Sequence, residues 1–166
     1  MQSLKKKLKN KLTGARRIAV LGVGSDICSD DVAGMRVASL LEAHLKKRRG
    51  KIKFKFFAGG TAPENFTGEI KKFKPSHLII IDCADFGKKP GVVSIFGIED
   101  LGGITFSTHR LPANIMADYL MQSVQCGCLI VGIQPKTLKF GESLSKEVSR
   151  SVDSLVSLMG ESLSTL

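Results

Sequence analysis

Acidic residues are in the minority: Asp and Glu number 15 against 25 Lys and Arg, a formal net charge of +10 over 166 residues. Such an excess invites a nucleic-acid reading through counterion release. Aromatic residues are scarce at 6%, however, and no familiar nucleic-acid motif appears. Much of the excess sits in the N-terminal lysines and in "KKRRGKIKFK" at 46–55, a solvated helix end and the outer face of an edge strand. No nucleic-acid partner is expected. Long apolar runs are also missing, since the stretch near "HLIIID" stops at Asp82, well short of the roughly 20 residues a membrane span needs. The basic start "MQSLKKKLKNKLTGARR" leads only into the short "IAVLGVG", which argues against secretion as well as membrane insertion.

Cysteine is sparse and unpatterned. Cys28, Cys83, Cys126 and Cys128 include no CxxC pair, and a chain of this length buries a core without disulfides. A reducing cytoplasm is the expected compartment. "CGC" offers two thiolates, but a structural zinc wants four ligands and no second pair is present. HExxH, GxSxG and a Walker lysine are absent too, which sets aside zincins, serine-hydrolase elbows and P-loop enzymes.

What is there reads as alternating strands and helices. Leu4, Leu8 and Leu12 recur among lysines, giving a short basic amphipathic helix over residues 1–16. "RIAVLGVG" is a buried strand. "DDVAGMRVASLLEAHLKKRRG" is a helix with acids at its start, bases in its last turn and Gly50 as a stop. "KIKFKFFAGG" alternates Lys outward with Ile52, Phe54 and Phe56 inward, a strand with one wet face. Pro63 opens a short helix through Phe73, and Pro75 closes it before the strand "HLIIIDCAD". "VVSIFGI" gives another strand, "EDLGGITFSTHR" an irregular loop, "PANIMADYLMQSVQ" a helix opened by Pro112, "CGCLIVGIQP" a strand and "ESLSKEVSRSVDSLVSLMGESL" a closing helix. This order predicts a mainly parallel sheet covered on both faces, in one domain over 1–166.

In such sheets ligands bind beyond the carboxyl ends of the strands, which selects the loop at 24–31, the residues from Asp82, and the loop around His109. The first of these, "LGVGSDICSDDVAG", begins like a dinucleotide fingerprint but has Ile27 in place of its third glycine. Glu42 lies at about the spacing of a ribose-binding acid, yet inside a helical pattern. One of Asp30 and Asp31 suffices as a helix cap. The other, with Asp82 and His109, makes a mixed oxygen and nitrogen donor set that suits a borderline divalent ion. A nucleotide-binding module built on the Gly22–Gly24 loop and a Cys83/His109 pair are the alternatives that the residues leave open.

The motifs "GVGSDICSDDVAG", "AGGTAPENF", "HLIIIDCADFGKKPG", "FSTHRLPANIMADYL" and "GIQP", in this order from about Arg17, resemble those of the hydrogenase maturation endopeptidases. These proteases remove a C-terminal extension from the large subunit of nickel-iron hydrogenases. The resemblance implies a three-layer α/β/α sandwich around a twisted, mostly parallel five-stranded sheet. It implies that the metal-binding acid falls on Asp31, the strand-end aspartate on Asp82 and the histidine on His109. It further implies that the metal is nickel, carried in by the large-subunit precursor, and that the three residues serve both binding and catalysis. A non-cleaving assembly factor that binds nickel-loaded precursor is a further alternative. Ser25 stands where the family has asparagine, Asp26 where an apolar residue is common, and "VAG" where many members have a glycine-first turn.

Overall fold

A computed structural model describes residues 2–46, 50–97, 100, 105–106, 119, 122–123 and 125–166. Its elements follow the order helix α1 (Gln2–Lys11), strand β1 (Arg17–Val23), helix α2 (Ala33–Leu45), β2 (Lys53–Gly60), α3 (Thr67–Phe73), β3 (His77–Asp85), β4 (Val93–Phe96), β5 (Thr105–Phe106), β6 (Gly127–Ile133) and α4 (Lys146–Ser164). The main sheet has the order β2-β1-β3-β6-β4. β1, β2, β3 and β6 run parallel, and β4 pairs antiparallel with β6.

The central strands owe their place to continuous apolar runs. "AVLGV" in β1 and "LIII" in β3 are buried throughout, as strands covered on both faces must be. On one face Ile18, Val20, Ile79, Ile81 and Val131 pack with Val37 and Leu41 of α2 and Val152, Leu155 and Met159 of α4. On the other, Leu21, Leu78, Ile80 and Ile130 pack with Ile70 of α3, Phe57 and Phe66. The result is the expected three-layer α/β/α arrangement. Leu8 and Leu12 are also inside the first of these cores, so the basic N-terminal helix keeps its lysines in water and its leucines under α4.

Several local expectations are corrected. Ile52, Phe54 and Phe56 do pack against the first core, half-buried, but Phe57 on the opposite face of β2 is buried as well. The Lys55 ammonium lies 5.0 Å from the Phe57 ring centroid, so the face read as wet is partly apolar. Part of the stretch read as an irregular loop forms β5, which pairs antiparallel with Ala84 and Asp85. Helix α2 starts at Ala33, after a 3-10 turn over Ser29–Val32, and no side chain caps either. The helix expected after Pro112 lies for the most part outside the described residues.

β1 leads through α2 outward to β2, and β2 leads through α3 back across to β3 on the other side of β1. The strand order therefore reverses between β1 and β3, and the carboxyl ends of these two strands frame the crevice where doubly wound sheets bind ligands.

Candidate active site

Both described members of the expected donor set lie at that crevice. Asp31 sits on the 3-10 turn after β1, fully buried at 0% exposure. Its Oδ2 accepts the Ser25 backbone N–H at 2.8 Å, which fixes the carboxylate against its own loop. Asp82, also at 0% exposure, is paired in register with Gly132 of β6, one residue past Ile81, the last residue of β3 paired with β1. β3 itself runs on to Asp85. Asp82 thus lies just beyond the paired zone of β1 and β3, inside the strand rather than at its end. His109 lies outside the described residues. Among the described residues no three His, Cys, Asp or Glu side chains gather as a metal set.

The glycines bring β1, its loop and α2 into close approach. Gly24 has φ +139°, and a Cβ there would land on the Asp31 carbonyl oxygen. Gly34, at the start of α2, has no room for a Cβ between the carbonyls of Val23 and Ile81. Any side chain at either place would push the Asp31 turn away from β3.

Five of the amides between Gly24 and Asp31 are spent inside the protein. Gly24 N–H donates to Gly60 O at 3.1 Å, Asp30 N–H to Thr137 O at 3.3 Å and Asp31 N–H to Cys28 O at 2.8 Å. Ser25 N–H goes to Asp31, and Ile27 N–H to the Ser25 hydroxyl at 3.4 Å. A phosphate cradle needs such amides pointing at the ligand. The arrangement tells against nucleotide binding, and the contact of Ser25 to Asp31 is made by its backbone, independent of its side chain.

Asp30 does different work from its neighbour. Buried at 0% exposure, its Oδ2 accepts from Lys136 N at 2.8 Å, Thr137 N at 3.2 Å and Ser145 Oγ at 3.0 Å. Its Oδ1 accepts from Ser145 N at 2.7 Å. Neither aspartate caps α2; Asp30 instead ties the chain after β6 and the N-cap residue of α4 to the candidate site. Sequence reasoning did not find this role, because the partners lie more than a hundred residues away. Gln134 was also missed. It is 6% exposed, accepts from Phe86 N and Lys88 N at 3.0 and 3.1 Å, and donates to Asp85 Oδ1 at 3.1 Å. A glutamine between an apolar strand and Pro135 was the available signal, since a buried amide needs partners.

Cys83 is buried among these groups, and its thiol donates to the Asp30 carbonyl oxygen at 2.8 Å. Burial first, then the charges of Asp82, Asp31 and Asp30, push its pKa far up. The thiol therefore stays protonated at neutral pH, which disfavours it as a nucleophile.

Residues 35–162 match the hydrogenase maturation protease family, HycI. A Methanocaldococcus jannaschii chain bearing the hydrogenase maturation protease name is 34% identical over 98% of both chains. The hydrogenase 3 maturation protease of Escherichia coli K12 is 28% identical over 82% of this chain and 84% of its own. The crystal structure of the nickel-iron hydrogenase maturation protease HycI from Thermococcus kodakarensis superposes with a TM-score of 0.82 at 28% identity, covering 95% of this chain and 98% of that one. The switch-point crevice, the motifs around it and these likenesses agree: the chain belongs to the hydrogenase maturation protease family, a family of peptidases.

Proposed function

We propose that this chain is the endopeptidase that removes the C-terminal extension of a nickel-iron hydrogenase large-subunit precursor after nickel insertion, and that Asp31, Asp82 and His109 take hold of the precursor's nickel. The observation that carries this reading is the pair of fully buried carboxylates, Asp31 and Asp82, at the crevice between β1 and β3, both within electrostatic reach of the one Cys83 sulphur. Gathering negative charge away from water is costly, and a divalent cation arriving there relieves that cost. Oxygen donors from two elements with an imidazole suit a borderline ion such as nickel.

Recognition of the metal makes the enzyme a checkpoint. A precursor without nickel lacks the group that the two carboxylates favour, so it binds too weakly to be cut. With nickel in place, the tail lies at the crevice and water adds across the scissile peptide bond. The mature subunit gains a new C-terminal carboxylate, and the released peptide carries the new amine. Cys83, held as a thiol, takes no part.

Asp82→Asn keeps the side chain's shape and removes its charge. The variant is expected to fold as the wild type does while processing of nickel-loaded precursor, read by intact mass, falls by at least about a hundredfold. Processing at the wild-type rate would remove Asp82 from the ligand set.

A further inference from the structure

β3 loses its β1 neighbour after Ile81 and its β6 neighbour after Cys83, and the two-residue β5 pairs only Ala84 and Asp85. Gln134, the residue that follows β6, takes over from there. Its Oε1 accepts from Phe86 N–H at 3.0 Å and Lys88 N–H at 3.1 Å, and its Nε2 donates to Asp85 Oδ1 at 3.1 Å. Its main chain holds the far end of the same turn, accepting from Gly91 N–H at 2.8 Å and donating to Val92 O at 2.9 Å. Residues 85–92 are therefore closed on a single residue at the carboxyl end of β6.

Two N–H donors and one carboxylate acceptor call for an oxygen and an NH2 on one group. Glutamate offers no donor at neutral pH, lysine no acceptor and leucine neither. Pro135 confines the residue before it to extended backbone, which keeps the amide aimed at the exit of β3. At 6% exposure, water has little access to replace it.

The firmness of this exit matters because of what the strand bears. Asp82 lies three residues before Asp85 in β3. Asp82 and Asp31 are both fully buried and both within electrostatic reach of the Cys83 sulphur, and until a cation joins them their like charges push apart. Asp31 is tied to its own loop by the Ser25 N–H. On the β3 side, the Gln134 contacts resist the same push. A misplacement of about 1 Å in a reacting site can cost about a hundredfold in rate.

We infer that Gln134 is a positioning residue for the proposed cleavage: by closing the 85–92 turn it keeps the β3 segment that bears Asp82 in place against the repulsion of Asp31. The inference rests on the proteolytic reading above and adds which residue outside the donor set holds the site in its cutting geometry.

The test is steady-state cleavage of nickel-loaded precursor by the wild type, Gln134→Leu, Gln134→Glu and Leu8→Ala, with hydrogen exchange of each protein alone. Leu8→Ala is the control for stability, since it loosens the core beneath α1 and leaves the 85–92 turn untouched. Below its unfolding range, Gln134→Leu should lower kcat about tenfold with KM within about twofold, and its Phe86 and Lys88 amides should exchange faster. Gln134→Glu keeps both accepted bonds and should recover most of kcat. Leu8→Ala should keep the wild-type kcat. If Gln134→Leu does not fold, Gln134→Asn, one methylene too short to reach all three partners, takes its place with the same expected loss. Unchanged kcat in Gln134→Leu, whether or not KM rises, would overturn the positioning role and leave the proteolytic reading intact. An equal loss of kcat in Leu8→Ala would reduce Gln134 to a contributor to stability, and a Gln134→Glu protein as slow as Gln134→Leu would show that the accepted bonds do not set the rate; either overturns the inference. Failure of the wild type to cut the nickel-loaded precursor would remove both readings.

Discussion

At Cys83, burial and the charges of Asp82, Asp31 and Asp30 act in the same direction, raising the pKa of a thiol that already donates its proton to the Asp30 carbonyl. Cys83→Ala should therefore process precursor within about twofold of wild type while losing about 1–2 kcal/mol of stability, from the lost hydrogen bond and the small cavity. Cleavage kinetics and urea unfolding check the two halves; a folded but inactive variant would restore the Cys83/His109 pair. At this scale Asp82 was legible in the sequence because a carboxylate after "LIII" has to leave the core or face a site. Asp31 was legible only with the family motif beside it, since nothing local separates it from Asp30. Their division of labour depends on partners more than a hundred residues away in the chain, which no spacing rule reports. His109 lies outside the described residues.

The Asp30 side chain holds the loop between β6 and α4 near its start, at Lys136 and Thr137, and at its end, at Ser145. Asp30→Ala leaves the amides of Lys136, Thr137 and Ser145 without the acceptor they meet in the fold. Each such loss costs about 1–3 kcal/mol where water cannot replace the acceptor, so the variant should lose about 3 kcal/mol or more in urea unfolding. Hydrogen exchange should rise selectively at those amides. A variant as stable as the wild type with unchanged exchange would contradict the clamp. Strands β1, β3 and β6 were legible because a strand buried on both faces reads as an unbroken apolar run. The start of α2 was misplaced because two adjacent aspartates imitate an N-terminal cap, whereas their side chains turn to the crevice and to the distant loop. The two-residue β5 carries too few residues to show a period and is defined only by its pairing with Ala84 and Asp85.

Over the whole molecule, alternating elements foretold a parallel sheet with helices on both faces, and the reversal of strand order between β1 and β3 places the crevice. The Leu4, Leu8 and Leu12 spacing predicts a basic amphipathic helix, and its apolar stripe adds Leu8 and Leu12 to the core at 0% and 1% exposure, with Lys5 paired to Glu161 of α4 at 3.0 Å. The exposed ion pair contributes little, and the leucines contribute most of the attachment. Leu8→Ala should cost about 2–5 kcal/mol in denaturant unfolding, with processing unaffected below the unfolding range. A loss under about 0.5 kcal/mol would mean that the helix is not part of the folding unit.

In the function proposed here, buried carboxylates at the switch point read the nickel of a hydrogenase precursor before its tail is cut. Incubating the purified chain with one large-subunit precursor, prepared with and without nickel, and weighing the products intact tests it most directly. Loss of a C-terminal peptide from the nickel-loaded form alone is the predicted result. Equal cleavage of both forms, or cleavage of neither, would contradict it.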